Sequence, residues 1–354
     1  MSEPEVLVER RGCAGYLTLN RPKALNALTL PMVRSIAEAL DAWERDDAVA
    51  RVVVSGAGGR AFCAGGDIRR LYEDGRAGDH DAQLAFWREE YRLNRRIKRY
   101  PKPYIAAVDG IVMGGGVGLS AHGSRVIAGE RFQFAMPEVG IGFFPDVGAT
   151  WLLPRLPHGA GAYLALTGAR AGAGDAVGLG LAADFVPGAE RFAACLAALA
   201  EAEPVDAILA RFSAPAPASP LCAEAAVLER CFSGATPAAI LAALETAARG
   251  GSAFARTAQE AMVGKSPTSQ AIALRQMQEG ARLSFEEAMI LEFRVVSRIC
   301  RGHDFYEGVR AAIVDKDGRP QWRPARREDV AGAEIDAYFA PLGAADLAFP
   351  AEAR

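Results

Sequence analysis

Short β-branched runs that end in glycine alternate with helical stretches through the first half of this chain. Arg51-Val52-Val53-Val54-Ser55 is closed by Gly56, and Tyr104-Ile105-Ala106-Ala107-Val108 is stopped by Gly110. A continuous apolar run of this length, bounded by a strand breaker, reads as a buried strand. Tyr16-Leu17-Thr18-Leu19 is a further short strand that runs into Asn20-Arg21-Pro22. Phe132 and Phe134 alternate with Gln133 in another, which delivers the chain to Pro137-Glu138. A helix is predicted from near Thr29, with Pro31 in its first turn and Val33, Ile36, Leu40 and Trp43 on one face. This order predicts an α/β fold with a site assembled at strand ends.

The second half changes character. Ser213 to Pro220 interleaves Ala, Ser and Pro, which cannot hold a helix. A boundary there separates residues 1–212, the expected catalytic core, from a helical region over 221–354. Ser266-Pro267 starts one helix, and Ser284 with Glu287 and Asp304 with Glu307 both fit capping boxes. Met289, Phe293 and Val296 recur at helical spacing, the mark of a packed face or a subunit interface.

Composition excludes several classes of function. The 354 residues are 51% hydrophobic and 23% charged, ordinary for a globular protein whose core needs neither metal nor disulfides. A net charge of −3 argues against bulk capture of nucleic acid or of an anionic membrane. Six scattered cysteines without a CxxC pair read as free thiols in a reducing compartment. The acidic opening Met1-Ser2-Glu3-Pro4-Glu5 is neither a signal nor a transit peptide, and no apolar segment is long enough to span a bilayer. The expected location is the cytoplasm.

Three glycine clusters carry the chemistry. Gly56-Ala57-Gly58-Gly59-Arg60-Ala61 formally fits GxGxxA, but the Phe62-Cys63-Ala64-Gly65-Gly66-Asp67 that follows is too glycine-rich for the early helix a dinucleotide site requires. No cluster precedes Lys-Ser or Lys-Thr, so a P-loop is excluded. Gly65-Gly66-Asp67 and Gly114-Gly115-Gly116-Val117-Gly118 remain, the latter between a strand and an apolar segment that reads as a buried helix. Such turns expose backbone N–H groups, and two that meet supply two donors to one oxygen, as an oxyanion hole needs. Either cluster alone is better explained by close helix–strand packing.

Phe62 to Ile68, Met113 to Gly118 and Met136-Pro137-Glu138, taken in order, resemble the enoyl-CoA hydratase/isomerase (crotonase) superfamily. A longer likeness is to its 3-hydroxyisobutyryl-CoA hydrolase branch. It includes Ile141-Gly142-Phe143-Phe144-Pro145-Asp146-Val147-Gly148, the late segment Gly302 to Arg310, Asp315-Lys316-Asp317 and Gln321-Trp322. The resemblance implies a spiral of ββα units with a helical C-terminal region that often mediates oligomers, so a homo-oligomer is an expectation. It implies that the Gly66 and Gly115 N–H groups hold the thioester oxygen. Lys23, Ala24 and Leu25, with Ala64, Asp67 and Ile68, would line the CoA channel, and Glu90 matches a substrate-contacting glutamate of the branch. No metal or redox cofactor is implied, because CoA is part of an acyl-CoA substrate.

Glu138 follows Pro137 at a strand end and Asp146 follows Pro145 in a glycine-rich loop. Beside an oxyanion site, two carboxylates can divide water activation and proton management. Glu138 is assigned as the principal base or nucleophile and Asp146 as its partner. Attack through a transient anhydride and general-base activation of water both fit. Hydratases of the superfamily carry a second glutamate just after the glycine triplet, where this chain has Gly118. Hydration is therefore disfavoured, hydrolysis within valine catabolism is expected, and enoyl-CoA isomerisation is the catalytic rival. A non-catalytic acyl-CoA-binding protein is the rival of a different class. Ser120 and His122 stand two residues apart and do not face each other on a helix; Cys63 and His303 read as packing residues. Arg92, Arg95, Arg96, Lys98 and Arg99 read as a solvated face within reach of CoA phosphates.

Overall fold

The computed structural model describes residues 3–349. Met1 and Ser2, which open the acidic stretch, and the last five residues of the expected helical region lie outside the described part.

The apolar runs form parallel strands. β1 (Val6–Arg11) and β2 (Ala14–Leu19) make an antiparallel hairpin, and β2 pairs in parallel with β3 (Arg51–Gly56). The ladder continues in parallel through β5 (Tyr104–Val108), β7 (Arg125–Gly129) and β10 (Asp184–Val186), giving a six-stranded sheet. A second sheet holds β4 (Ala61–Cys63), β6 (Ile111–Met113), β8 (Gln133–Ala135) and β9 (Ala171–Gly172). The pairs β3/β4, β5/β6 and β7/β8 each give their first strand to the larger sheet and their second to the smaller. This repeat is the expected spiral of ββα units. Val52, Val53 and Val54 are all fully buried, the reason β3 carries no alternation. Val53, Ile105, Ile127 and Val186 pack against Phe192, Cys195, Leu199 and Ile208 from the helices that follow β10.

Helix α1 (Leu30–Glu44) begins as predicted, with Thr29 as N-cap accepting from the Met32 N–H, and Val33, Ile36, Leu40 and Trp43 are buried. The Gly56 to Arg60 turn leads into β4 and not into a helix, as required if no dinucleotide binds there. The sequence reading missed β1, whose last four residues are exposed. Charged residues on an edge strand hide the two-residue period that identifies strands.

Contacts divide the chain into two compact units that interleave in sequence. One takes the chain up to Asp67, Leu93–Ala135 and Arg170–Ala223; the other takes Ile68–Arg92, Met136–Ala169 and the chain from Glu224 on. The first contains both sheets. The 213–219 stretch carries neither helix nor strand and lies in this first unit, with a short helix beginning at Pro220.

The second unit is mainly helical. It includes α2 (Ile68–Arg76), most of α3 (His80–Lys98), and the Pro267–Gly280 and Phe285–Ile299 helices. Ser266 caps the Pro267–Gly280 helix, and the Ser284/Glu287 capping box is complete. The box expected from Asp304 and Glu307 does not form. That helix starts at His303 after Gly302, and Asp304 is buried, accepting from the Ser266 hydroxyl (2.6 Å) and the Arg323 N–H (2.8 Å). Glu307 instead pairs with Arg310 at 2.8 Å. Met289, Phe293 and Val296 are buried within the protomer itself.

Candidate active site

In the first unit the two glycine turns meet. A Cβ placed on Gly65 would lie 3.7 Å from the Met113 carbonyl oxygen and 4.0 Å from the Gly115 nitrogen. One placed on Gly116 would lie 2.4 Å from the Cys63 carbonyl oxygen, so only glycine permits the approach. Gly66 forms a parallel bridge with Leu28, in which the Leu28 N–H donates to Gly65 and the Asp67 N–H donates back to Leu28. That pattern turns the Gly66 N–H away from Leu28. Gly115 opens helix α4 (Gly115–Ser120), where the first N–H groups have no intrahelical acceptor. Two backbone donors thus stand on neighbouring turns.

The Lys23–Leu25 segment is tied to the same turn. The Ala64 N–H donates to the Leu25 carbonyl at 3.0 Å, and Asp67 accepts from Arg21 at 3.0 Å. Leu25 and Asn26 hold left-handed backbone (φ 51° and 56°), and the buried Asn26 amide fixes them by donating to the Ala57 and Ala61 carbonyls. Lys23 and Ala24 are exposed at this edge, Leu25, Ala64 and Asp67 half-buried.

The second unit holds the acids. Glu138 starts a single turn, Glu138–Ile141, after Pro137, and its side chain is 7% exposed. Phe143, two residues before Pro145, stacks on Trp87 (centroids 5.6 Å apart) and contacts Phe305 at 5.7 Å. Gly142 is left-handed (φ 67°), and a Cβ there would lie 2.0 Å from the Asp304 carbonyl oxygen. The Gly302 to Arg310 segment therefore buttresses the stretch that joins Glu138 to Asp146. Asp146 is 5% exposed and accepts from the Tyr91 phenol at 2.8 Å. Glu90, beside Tyr91 on α3, is 2% exposed. Glu292 is fully buried and accepts from the Gly148 and Thr150 N–H groups at 2.8 and 2.9 Å. Ile68 opens α2 and is half-buried.

Burial raises every one of these carboxyls, because the charged form loses its water. Glu138 is pushed well above the usual carboxylate range by burial and then by the charge of Asp146. Asp146 is pushed up to about 7 by burial, opposed by the Tyr91 hydrogen bond and by its own backbone. Glu90 is raised by burial and by Asp146 and Glu292. Glu292 is pushed up to about 8 by burial and Asp146, against the two backbone N–H groups that favour its carboxylate. Glu138 Oε2 and Glu90 Oε1 are buried without a protein hydrogen-bond partner among the described residues. Buried polar atoms of that kind call for a bound partner. A carboxyl pushed up to about 7, as Asp146 is, can both take and give a proton near neutral pH.

Glu90, Glu138 and Asp146 thus stand in one unit, and Gly66, Gly115 and the Lys23 to Asp67 residues other than Ile68 in the other. The sequence reading singles out neither Glu292 nor Tyr91. The legible signal for Glu292 was an acid three residues after Met289 on an apolar helix face. Ser120 donates back to Gly116 at 2.8 Å, and none of the six cysteines is in a disulfide, with Cys63 buried. His303 contacts the Gln321 carbonyl at 2.9 Å, and Arg96 pairs with Asp41 and Glu44, each at 2.6 Å. No helix among the described residues is long and apolar enough to cross a membrane.

A rat protein named 3-hydroxyisobutyryl-CoA hydrolase, mitochondrial, is 45% identical over 98% of this chain and 91% of its own length. A carnitinyl-CoA dehydratase structure from Mycobacterium thermoresistibile superposes with a TM-score of 0.93 at 43% identity, covering 99% of this chain and all of that one. An enoyl-CoA hydratase structure from Rhodobacter sphaeroides 2.4.1 gives 0.91 at 43% identity, over 98% of this chain and all of that one. Residues 14–339 match the family described as enoyl-CoA hydratase/isomerase, and with paired glycine turns and a buried acid cluster in place, the chain belongs to that family.

Proposed function

We propose that this protein is an acyl-CoA thioester hydrolase that converts 3-hydroxyisobutyryl-CoA and water to 3-hydroxyisobutyrate and CoA. The reading rests on Glu138 and Asp146, two buried acids both raised above the usual carboxylate range, of which Glu138 keeps an oxygen without a protein partner among the described residues. In it, the Gly66 and Gly115 N–H groups receive the thioester oxygen as negative charge develops there. Glu138 acts on water as general base, or attacks the carbonyl itself through a transient anhydride. Asp146 manages the proton, the C–S bond breaks, and the thiol leaves with a proton. Glu90 receives the substrate, and Lys23, Ala24, Leu25, Ala64, Asp67 and Ile68 line the path of CoA. No metal or redox cofactor enters, and CoA is consumed as part of the substrate.

The names of the two structural neighbours, a dehydratase and a hydratase, favour a second reading, addition or removal of water at a double bond. Gly118 argues against it. The residue is buried in α4 and has no side chain with which to hold a proton or orient water. The name of the rat relative supports hydrolysis, and that reaction belongs to valine catabolism. The six free thiols support the cytoplasm as the compartment, although the rat name carries a mitochondrial label.

Purified protein is expected to release free thiol from 3-hydroxyisobutyryl-CoA, read with a thiol reagent. Migration of enoyl-CoA double bonds without thiol release would instead establish the isomerase. Binding without turnover across a panel of CoA esters would establish the non-catalytic alternative.

A further inference from the structure

We propose that Glu292 is a positioning residue for Asp146, its carboxyl group gripping the left-handed turn that follows Asp146 and so holding that acid in place. The inference rests on the role given to Asp146 above.

The turn is strained. Val147 has φ 54° and Gly148 has φ 89°, and a β-branched residue rarely adopts such a backbone. A conformation of this kind persists only where surrounding contacts over-determine it. The turn leaves the Gly148 and Thr150 N–H groups, two residues apart, facing one side-chain carboxyl group. Glu292 Oε2 accepts from the Gly148 N–H at 2.8 Å and Oε1 from the Thr150 N–H at 2.9 Å. Both bonds favour the ionised form and oppose the burial that pushes Glu292 up, and a carboxyl oxygen accepts from a backbone N–H in either protonation state.

Gln276 closes the other side of the loop. Its amide donates to the Pro145 carbonyl at 2.9 Å and to the Thr150 hydroxyl at 2.7 Å. Asp146 thus lies between Pro145, held by Gln276, and Gly148, held by Glu292. Glu292, Gln276 and Thr150 are all fully buried, so water does not compete for these bonds. Both gripping residues come from C-terminal helices, Pro267–Gly280 and Phe285–Ile299. Those helices therefore hold the loop that carries Asp146.

The test is a mutant cycle on the full chain with 3-hydroxyisobutyryl-CoA. Glu292→Gln keeps the volume but turns an NH₂ group toward one of the two backbone donors. A small displacement of a reacting group costs up to ~100-fold in rate, so kcat is expected to fall on the order of 10–100-fold. KM is expected to stay within about threefold. In the Asp146→Asn background, read by single turnover, Glu292→Gln is expected to add little further loss, because the residue acts through Asp146. Glu292→Asp, which keeps the carboxyl group, is expected to recover part of the rate. An unchanged kcat, or the same fold-loss in both backgrounds, would overturn the proposal. If Asp146→Asn alone turned over normally, the reading of Asp146 would fail instead, which separates the two. Should Glu292→Gln not fold, Gln276→Met reads the same cycle from the other grip.

Discussion

Tyr91 donates its phenolic proton to Asp146 across 2.8 Å, and both side chains are almost wholly removed from water. The bond favours the carboxylate and is the largest influence opposing the burial that raises Asp146 to about 7. Tyr91→Phe deletes it without changing the packed ring, so the Asp146 pKa rises further. A hydrogen bond to a charged group contributes roughly 1.5–3 kcal/mol, about one to two pH units. If Asp146 works as a carboxylate, activity is lost as pH falls through its pKa. The acidic limb of the kcat profile is then expected to move up by about one unit, with turnover recovering near pH 9. A profile whose limb stays in place would remove Asp146 as the group that sets it.

Glu138→Gln and Asp146→Asn keep the shapes of the two acids and remove their ability to take a proton. Each is expected to lower kcat by roughly 10²–10⁴-fold while KM for the CoA ester changes little, since neither group grips the CoA moiety in the reading above. Normal kcat in both variants would sink the assignment.

The acids also tie stability to pH, and the direction follows from their raised values. Asp146 at about 7 and Glu292 at about 8 keep protons in the folded chain that the unfolded chain has lost above about pH 4. Between pH 4 and 8 the folded state binds more protons, so stability falls as pH rises through that window. Asp146→Asn removes one of these contributions. Its melting temperature is expected to exceed that of the parent at pH 9, on the order of a few degrees, with the advantage shrinking by pH 5. A larger advantage at pH 5 than at pH 9 would contradict the sign.

What the sequence disclosed and what it withheld have physical causes. Strands such as Arg51–Gly56 were legible because burial on both faces leaves an unbroken apolar run. Glu138 and Asp146 were legible because each follows a proline at a family-specific place. Glu292 was not, because its partners are backbone N–H groups 144 and 142 positions away, and a backbone donor has no residue type to read. Asp304 misled because Asp followed three residues later by Glu also occurs where the aspartate is pulled into the interior by Ser266 and Arg323. The boundary expected at 213–220 marked a true break in regular structure, but the compact units interleave, and local composition carries no trace of that.

The oxyanion turns yield a last prediction, because a single methyl group tests their contact. A Cβ at Gly116 would stand 2.4 Å from the Cys63 carbonyl oxygen and 2.9 Å from the Cys63 Cβ. The oxygen is backbone in the strand that leads to Gly66, so no rotamer change relieves the clash. Gly116→Ala must therefore push the Gly66 and Gly115 turns apart, and in the proposed mechanism the two N–H groups then no longer serve one oxygen. Losing one such donor costs about 10²–10³-fold in kcat, and a loss of that order is expected at temperatures where the variant remains folded by circular dichroism. Gly172→Ala is the control, since a Cβ there meets nothing within 4 Å and the backbone is ordinary (φ −84°). Its turnover is expected to match the parent. Equal activity in Gly116→Ala and Gly172→Ala would show that the contact between the turns does not hold the donors in place.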